Sequence, residues 1–176
     1  MYIWIGCKLP KEFEEEIRQH CLKRNEEIGL DTTAFFLPQH ISLKISFDAG
    51  SQWQGILDAA EALLRRESPF DVNPSGIETA GSILWITFRE NGQLRRLHNV
   101  LDKTLKQDFG IPQHLFDKAF VFHSTLFIGE AQRLAQMQAG LNDFVLPEKL
   151  AVDTFLLGLS ETGRAGEYRV VREIKL

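Results

Sequence analysis

The chain holds 176 residues, 44% apolar and 25% charged, with 20 basic against 24 acidic side chains and a net charge of −4. That is the balance of a globular domain long enough to bury its own core, and the mild acidity argues against a broad basic surface for duplex DNA or RNA. No apolar run approaches the ~20 residues of a membrane-spanning helix. Residues 12–16 are already acidic, unlike a secretory leader, so a cytoplasmic monomer is expected.

Residues 2–9 alternate, with Ile3, Ile5, Cys7 and Leu9 on one face and Tyr2, Trp4, Gly6 and Lys8 on the other, which predicts a strand. Pro10 then opens a helix with the apolar stripe Phe13, Ile17, Cys21 and Ile28. A strand is expected over 35–47. Ser51 and Gln54 have the spacing of a capping box, ahead of a helix striped by Trp53, Ile56, Leu57, Ala60 and Leu64. A strand over 70–79 closes the first half.

The order then restarts. Residues 83–88 read as a strand, 92–109 as a helix striped by Leu94, Leu97, Leu101 and Leu105, 120–129 as a strand, 131–141 as a helix and 150–159 as a strand. A last strand covers 167–176. The expected fold is α+β: one domain over 1–176 made of two pseudo-symmetric β-α-β-α-β lobes, about 1–80 and about 81–176. Their sheets would surround a central groove, with helices on the outer faces.

The third element of each half carries a similar tetrapeptide, His40-Ile41-Ser42-Leu43 and His123-Ser124-Thr125-Leu126. Residues i and i+2 of a strand share a face, so His40 points with Ser42 and His123 with Thr125. Trp4 precedes His40 and Trp85 precedes His123 by nearly equal intervals. Two imidazoles meeting in a groove can divide acid and base duties, because histidine titrates near neutrality. Hydroxyls beside them can donate hydrogen bonds to phosphate oxygens that gain charge in a transition state. Such a site needs no metal or cofactor and suits opening of a phosphodiester, above all a strained cyclic one.

Two HxS/Tx motifs in register, with their βα lead-ins and the closing segment 167–176, resemble the two-histidine phosphoesterase superfamily, which includes the bacterial RNA 2′-5′ ligases, also described as RNA 2′,3′-cyclic phosphodiesterases. The resemblance implies that His40 and His123 are the catalytic pair and that Ser42 and Thr125 bind phosphate, with Ser42 standing where threonine is common. It also implies RNA 3′ ends or small cyclic-phosphate nucleotides as partners. A nucleotide- or RNA-end-binding module with little catalysis is the alternative. Two histidines on separate strands, without HExxH or clustered carboxylates, make a poor metal site.

Other residues carry weaker signals. Lys44 shares the His40 and Ser42 face if the strand stays regular, and would then meet phosphate charge. Trp4 and Trp85 would stack a base or merely seal the sheet face. Thr87 and Arg89 extend the Trp85 face; Tyr168, Arg169 and Arg172 belong to the last strand without an assigned face. His114 is expected in a loop, and His20 and His98 at helix surfaces or boundaries. Cys7 and Cys21 form neither a disulfide framework nor a zinc spacing and read as core thiols.

Overall fold

Pro10, whose ring presets a helical φ, directly precedes α1 (Lys11–Ile28), and Gly29 ends it in the left-handed conformation with its N–H on the Asn25 carbonyl. The computed structural model describes all 176 residues. The strand before this helix is β1 (Tyr2–Lys8). β2 begins only at His40 and runs to Asp48, because residues 33–36 form a 3-10 turn and Pro38 has no N–H for a ladder. The expected Ser51 capping box is absent. A 3-10 turn over Gly50–Gln52 leads into α2 (Trp53–Leu64), and Asp48 instead accepts the N–H of Gly50 at 2.9 Å.

The strand expected over 70–79 is broken at Asn73-Pro74 into β3 (Phe70–Val72) and β4 (Pro74–Ala80). β5 (Ile83–Phe88) and α3 (Gly92–Phe109) follow, the helix capped by Asn91, whose side chain accepts from the N–H groups of Gln93 and Leu94. A 3-10 turn over Leu115–Ala119 precedes β6 (His123–Ile128) and α4 (Ala131–Gly140). The strand expected over 150–159 is also two, β7 (Leu150–Val152) and β8 (Thr154–Ser160), and β9 (Arg169–Lys175) ends the chain.

The fold is α+β, with antiparallel sheets and four helices. One sheet has the order β2-β1-β8-β9, a second β4-β5-β6, and β3 pairs with β7 as a two-stranded bridge. The sheets therefore do not follow the halves of the chain. β8, from the second half, pairs with β1, and β4, from the first, pairs with β5. The helices cross over as well: α3 packs on β2 beside α2, while α4 packs on β4 and β5 beside α1. A single buried cluster of 37 residues runs through both sheets, so the lobes share one core. No helix is long and apolar enough to cross a membrane.

Both motif strands, β2 and β6, are edge strands of their sheets, and they lie next to each other. Their contact brings the two tetrapeptides together.

Candidate active site

Each motif begins with the same local device. The ring Nδ1 of His40 lies 2.7 Å from the Pro38 carbonyl, and that of His123 lies 2.8 Å from the Val121 carbonyl. A carbonyl can only accept, so Nδ1 carries the proton in the neutral ring and Nε2 is left with its lone pair. Each imidazole also rests on a tryptophan from the neighbouring strand. His40 is stacked on Trp4 at 4.1 Å between ring centroids and 23° between planes; His123 lies on Trp85 at 4.2 Å and 40°.

The motifs are also joined through their neighbours. Ser124, immediately after His123, donates a buried hydrogen bond of 2.8 Å to the side-chain oxygen of Gln39, immediately before His40. Burial pushes the His40 imidazole down to about 4 from its ordinary 6.5; the Pro38 carbonyl pulls the other way, and the charge of His123 adds to the fall. His123 is lowered too, again by burial, with the Val121 carbonyl opposing. Both rings are therefore neutral near pH 7 without a ligand.

A cavity of about 540 Å³ opens where β2 meets β6. His40, Trp4 and Ser46 line one side and Thr125 and Ile128 the other, while Phe36, Tyr168 and the loop around Gly163 and Gly166 form the far wall. Ser42 is half-buried on the His40 face and His123 is half-buried on the Thr125 face. Of the two pairs, His40 and Thr125 line this cavity, whereas Ser42 and His123 do not. No three histidine, cysteine, aspartate or glutamate side chains gather as a metal site.

Lys44 is the clear departure. The pairing with β1 slips between Ile5, which faces Lys44, and Gly6, which faces Ser42, leaving Leu43 as an extra residue. This bulge turns Lys44 away from the groove. It is 1% exposed, with Nζ at 2.6 Å from the Asp102 carboxylate and hydrogen-bonded to Asp117. A second slip, between Ile3 and Ile5, spans Ile45 and Ser46, and Ser46 lines the cavity, where its hydroxyl meets that of Tyr168.

One further expectation changes. His98 is not at a surface: it is buried, with Nδ1 2.8 Å from the Leu43 carbonyl and its ring stacked on Phe120. Trp4 and Trp85 seal the sheet faces and carry the histidines, so those faces are taken by imidazole. Thr87 is buried and bonded to Gly76 and Glu78 of β4, and Arg172 pairs with Asp58 and Glu61 of α2. His114 caps the turn at Leu115–Ala119. Cys7 and Cys21 are buried, and desolvation pushes the Cys21 thiol up to about 12, leaving it inert.

Sequence reasoning missed Gln39 and Ser124, although a polar side chain on the inward face of a motif strand was a legible signal. It also missed Phe36 and the loop at 163–166, which carry no periodicity.

Comparison with known proteins agrees with this fold. A sequence model described as the 2′-5′ RNA ligase superfamily matches residues 10–164. A search of curated proteins found no match. Among solved structures, TT0787 of Thermus thermophilus is similar with a TM-score of 0.66 and 21% identity, over 100% of this chain and 98% of that one. E. coli LigT complexed with 3′-AMP gives 0.61 and 18%, over 99% and 96%. Kluyveromyces marxianus Usb1 gives 0.61 and 12%, over 99% and 98%. At these identities the likeness concerns the fold.

Proposed function

The chain belongs to the 2′-5′ RNA ligase superfamily of two-histidine phosphoesterases, and on that premise we propose that it opens 2′,3′-cyclic phosphates on RNA 3′ ends or small nucleotides by metal-independent hydrolysis. The observation that carries this reading is the duplicated arrangement of an Nδ1-anchored imidazole and a hydroxyl two residues on, His40 with Ser42 and His123 with Thr125, on adjoining edge strands, with His40 and Thr125 lining one cavity.

In this reading the phosphate sits between the imidazoles and accepts hydrogen bonds from the Ser42 and Thr125 hydroxyls. One Nε2 takes a proton from water as its oxygen attacks phosphorus. The other imidazole, charged, gives a proton to the ribose oxygen as its P–O bond breaks. The free site holds both rings neutral, but an anionic phosphate favours the charged form of a ring beside it. The hydroxyls stabilise charge on the non-bridging oxygens as it develops.

The test is a panel of 2′,3′-cyclic mononucleotides, cyclic-phosphate-ended oligoribonucleotides and 2′-5′ dinucleotides, assayed in excess EDTA. Turnover that survives chelation, has a bell-shaped pH profile and falls by about 10²-fold or more in each of His40→Ala and His123→Ala supports the reading. Unchanged turnover in either variant refutes it. Tight binding of cyclic-phosphate ends with no hydrolysis of any substrate would assign a binding module instead.

A further inference from the structure

Trp4 and Trp85 are used twice in the same way, and their placement is costly. Both indole Nε1–H groups are buried without an acceptor, which a tryptophan placed only to fill space ordinarily avoids. The chain also gives up side chains to seat Trp4. A Cβ on Gly158 would lie 1.9 Å from Trp4 Nε1, and one on Gly6 would lie 3.0 Å from His40 Cδ2 and 3.1 Å from Trp4 Cζ3. Gly6 is thus an opening through which His40 reaches the indole face. In the other lobe Trp85 pairs with Thr125 and Thr87 with His123, and the His123 ring lies over Trp85.

We propose that Trp4 and Trp85 are positioning residues that back the two imidazoles, hold each Nε2 toward the groove together with the Nδ1–carbonyl bond, and favour the protonated ring. The negative face of an aromatic ring attracts a cation laid on it. Burial disfavours the charged form of both rings; the indoles oppose it, so that a bound phosphate needs less interaction to protonate the acid. The role in turnover rests on the reading of a two-histidine phosphoesterase, whereas the effect on the rings does not.

Other charges near these rings are accounted for. Opposite His40, β1 places Lys8, paired at 2.6 Å with Glu173 of β9; across the cavity stand Asp31 and the Tyr168 phenol, and His123 is the other imidazole. Opposite His123, β5 places Thr87, which bonds Glu78 of β4, and exposed Arg89 follows β5.

Replacing tryptophan with 5-fluoro- and then 5,7-difluorotryptophan weakens the ring face stepwise at nearly constant size, so the fold is kept. NMR titration of the full chain should show the imidazoles of His40 and His123 titrating progressively lower, by about half a pH unit or more in total. His20, His98 and His114, whose neighbours are phenylalanine rings, serve as controls. Trp85→Leu should lower His123 alone, and Trp85→Phe should restore most of the shift. His40 and His123 unmoved by fluorination, or all five histidines moving together, would overturn the proposal. These shifts without cyclic-phosphate hydrolysis would instead sink the functional reading while leaving the assignment of the indoles standing.

Discussion

Replacing Lys44 with methionine separates two roles that the sequence could not. If Lys44 met the phosphate, Lys44→Met would raise KM and leave the fold alone. Its observed position predicts the opposite. Lys44 is 1% exposed, Asp117 is fully buried and Asp102 is 13% exposed. Removing the ammonium leaves the Asp117 carboxylate with only the His114 N–H on one oxygen and no partner on the other. Breaking a buried ion pair from one side costs about 3–5 kcal/mol. At roughly 2–4 °C per kcal/mol for a chain of this size, Tm should fall by about 6–20 °C. Adding Asp117→Asn removes the stranded charge and should recover about half of the loss, the non-additivity expected of neighbours in one network. Thermal and urea unfolding measure both effects, and KM for a cyclic phosphate is read on the same preparations. A Tm within about 2 °C of the parent, with a large rise in KM, would refute the reasoning and return Lys44 to the phosphate.

Two further outcomes test the site. In Gly6→Ala the new Cβ would stand 2.9 Å from the Ile41 carbonyl oxygen as well as against His40 and Trp4; the backbone cannot yield easily, so the rings must. Turnover should fall by about tenfold to 10²-fold, while stability changes by about 1–3 kcal/mol, and unchanged kcat would contradict the stacked geometry. Stability should also decline as pH falls from 7 to 5. The unfolded imidazole of His40 binds a proton near 6.5 and the folded one only near 4, so the unfolded state gains protons first. That difference removes about 2 kcal/mol by pH 5, and the lowered His123 acts in the same direction. Urea unfolding of the parent and of His40→Asn should show the decline shrink in the variant; equal slopes would show that burial does not depress His40.

The elements and the motifs were legible because their signals are local. Alternation puts His40 with Ser42 and His123 with Thr125 regardless of what surrounds them, and α3 announces itself through Leu94, Leu97, Leu101 and Leu105, all buried. Prolines explain two of the boundary errors: Pro38 delays β2, and Pro74 divides β3 from β4. Lys44 went astray for a different reason. A bulge is a property of two strands, and the sequence of β2 alone does not show that Leu43 is left over opposite β1. His98 likewise sits on a helix at a position whose burial depends on Phe120 and the Leu43 carbonyl.

What the net charge of −4 and the paired motifs settled by themselves was a single acidic α+β chain with two equivalent imidazole–hydroxyl pairs. The sequence had the repeat in it, since strand and helix periods are written in consecutive residues. The tertiary structure decided how the repeat is used: β8 and β9 join β1 while β4 joins β5, so each sheet is completed by strands of both halves. β2 and β6 lie side by side, and Ser124 closes onto Gln39. The bulge against β1 sends Lys44 into the core, and the neighbouring strands β1 and β5 leave the two indoles beneath the two histidines. Pairing between distant strands is fixed by burial of the shared core and by ladder geometry, and neither is a property of any local stretch of chain.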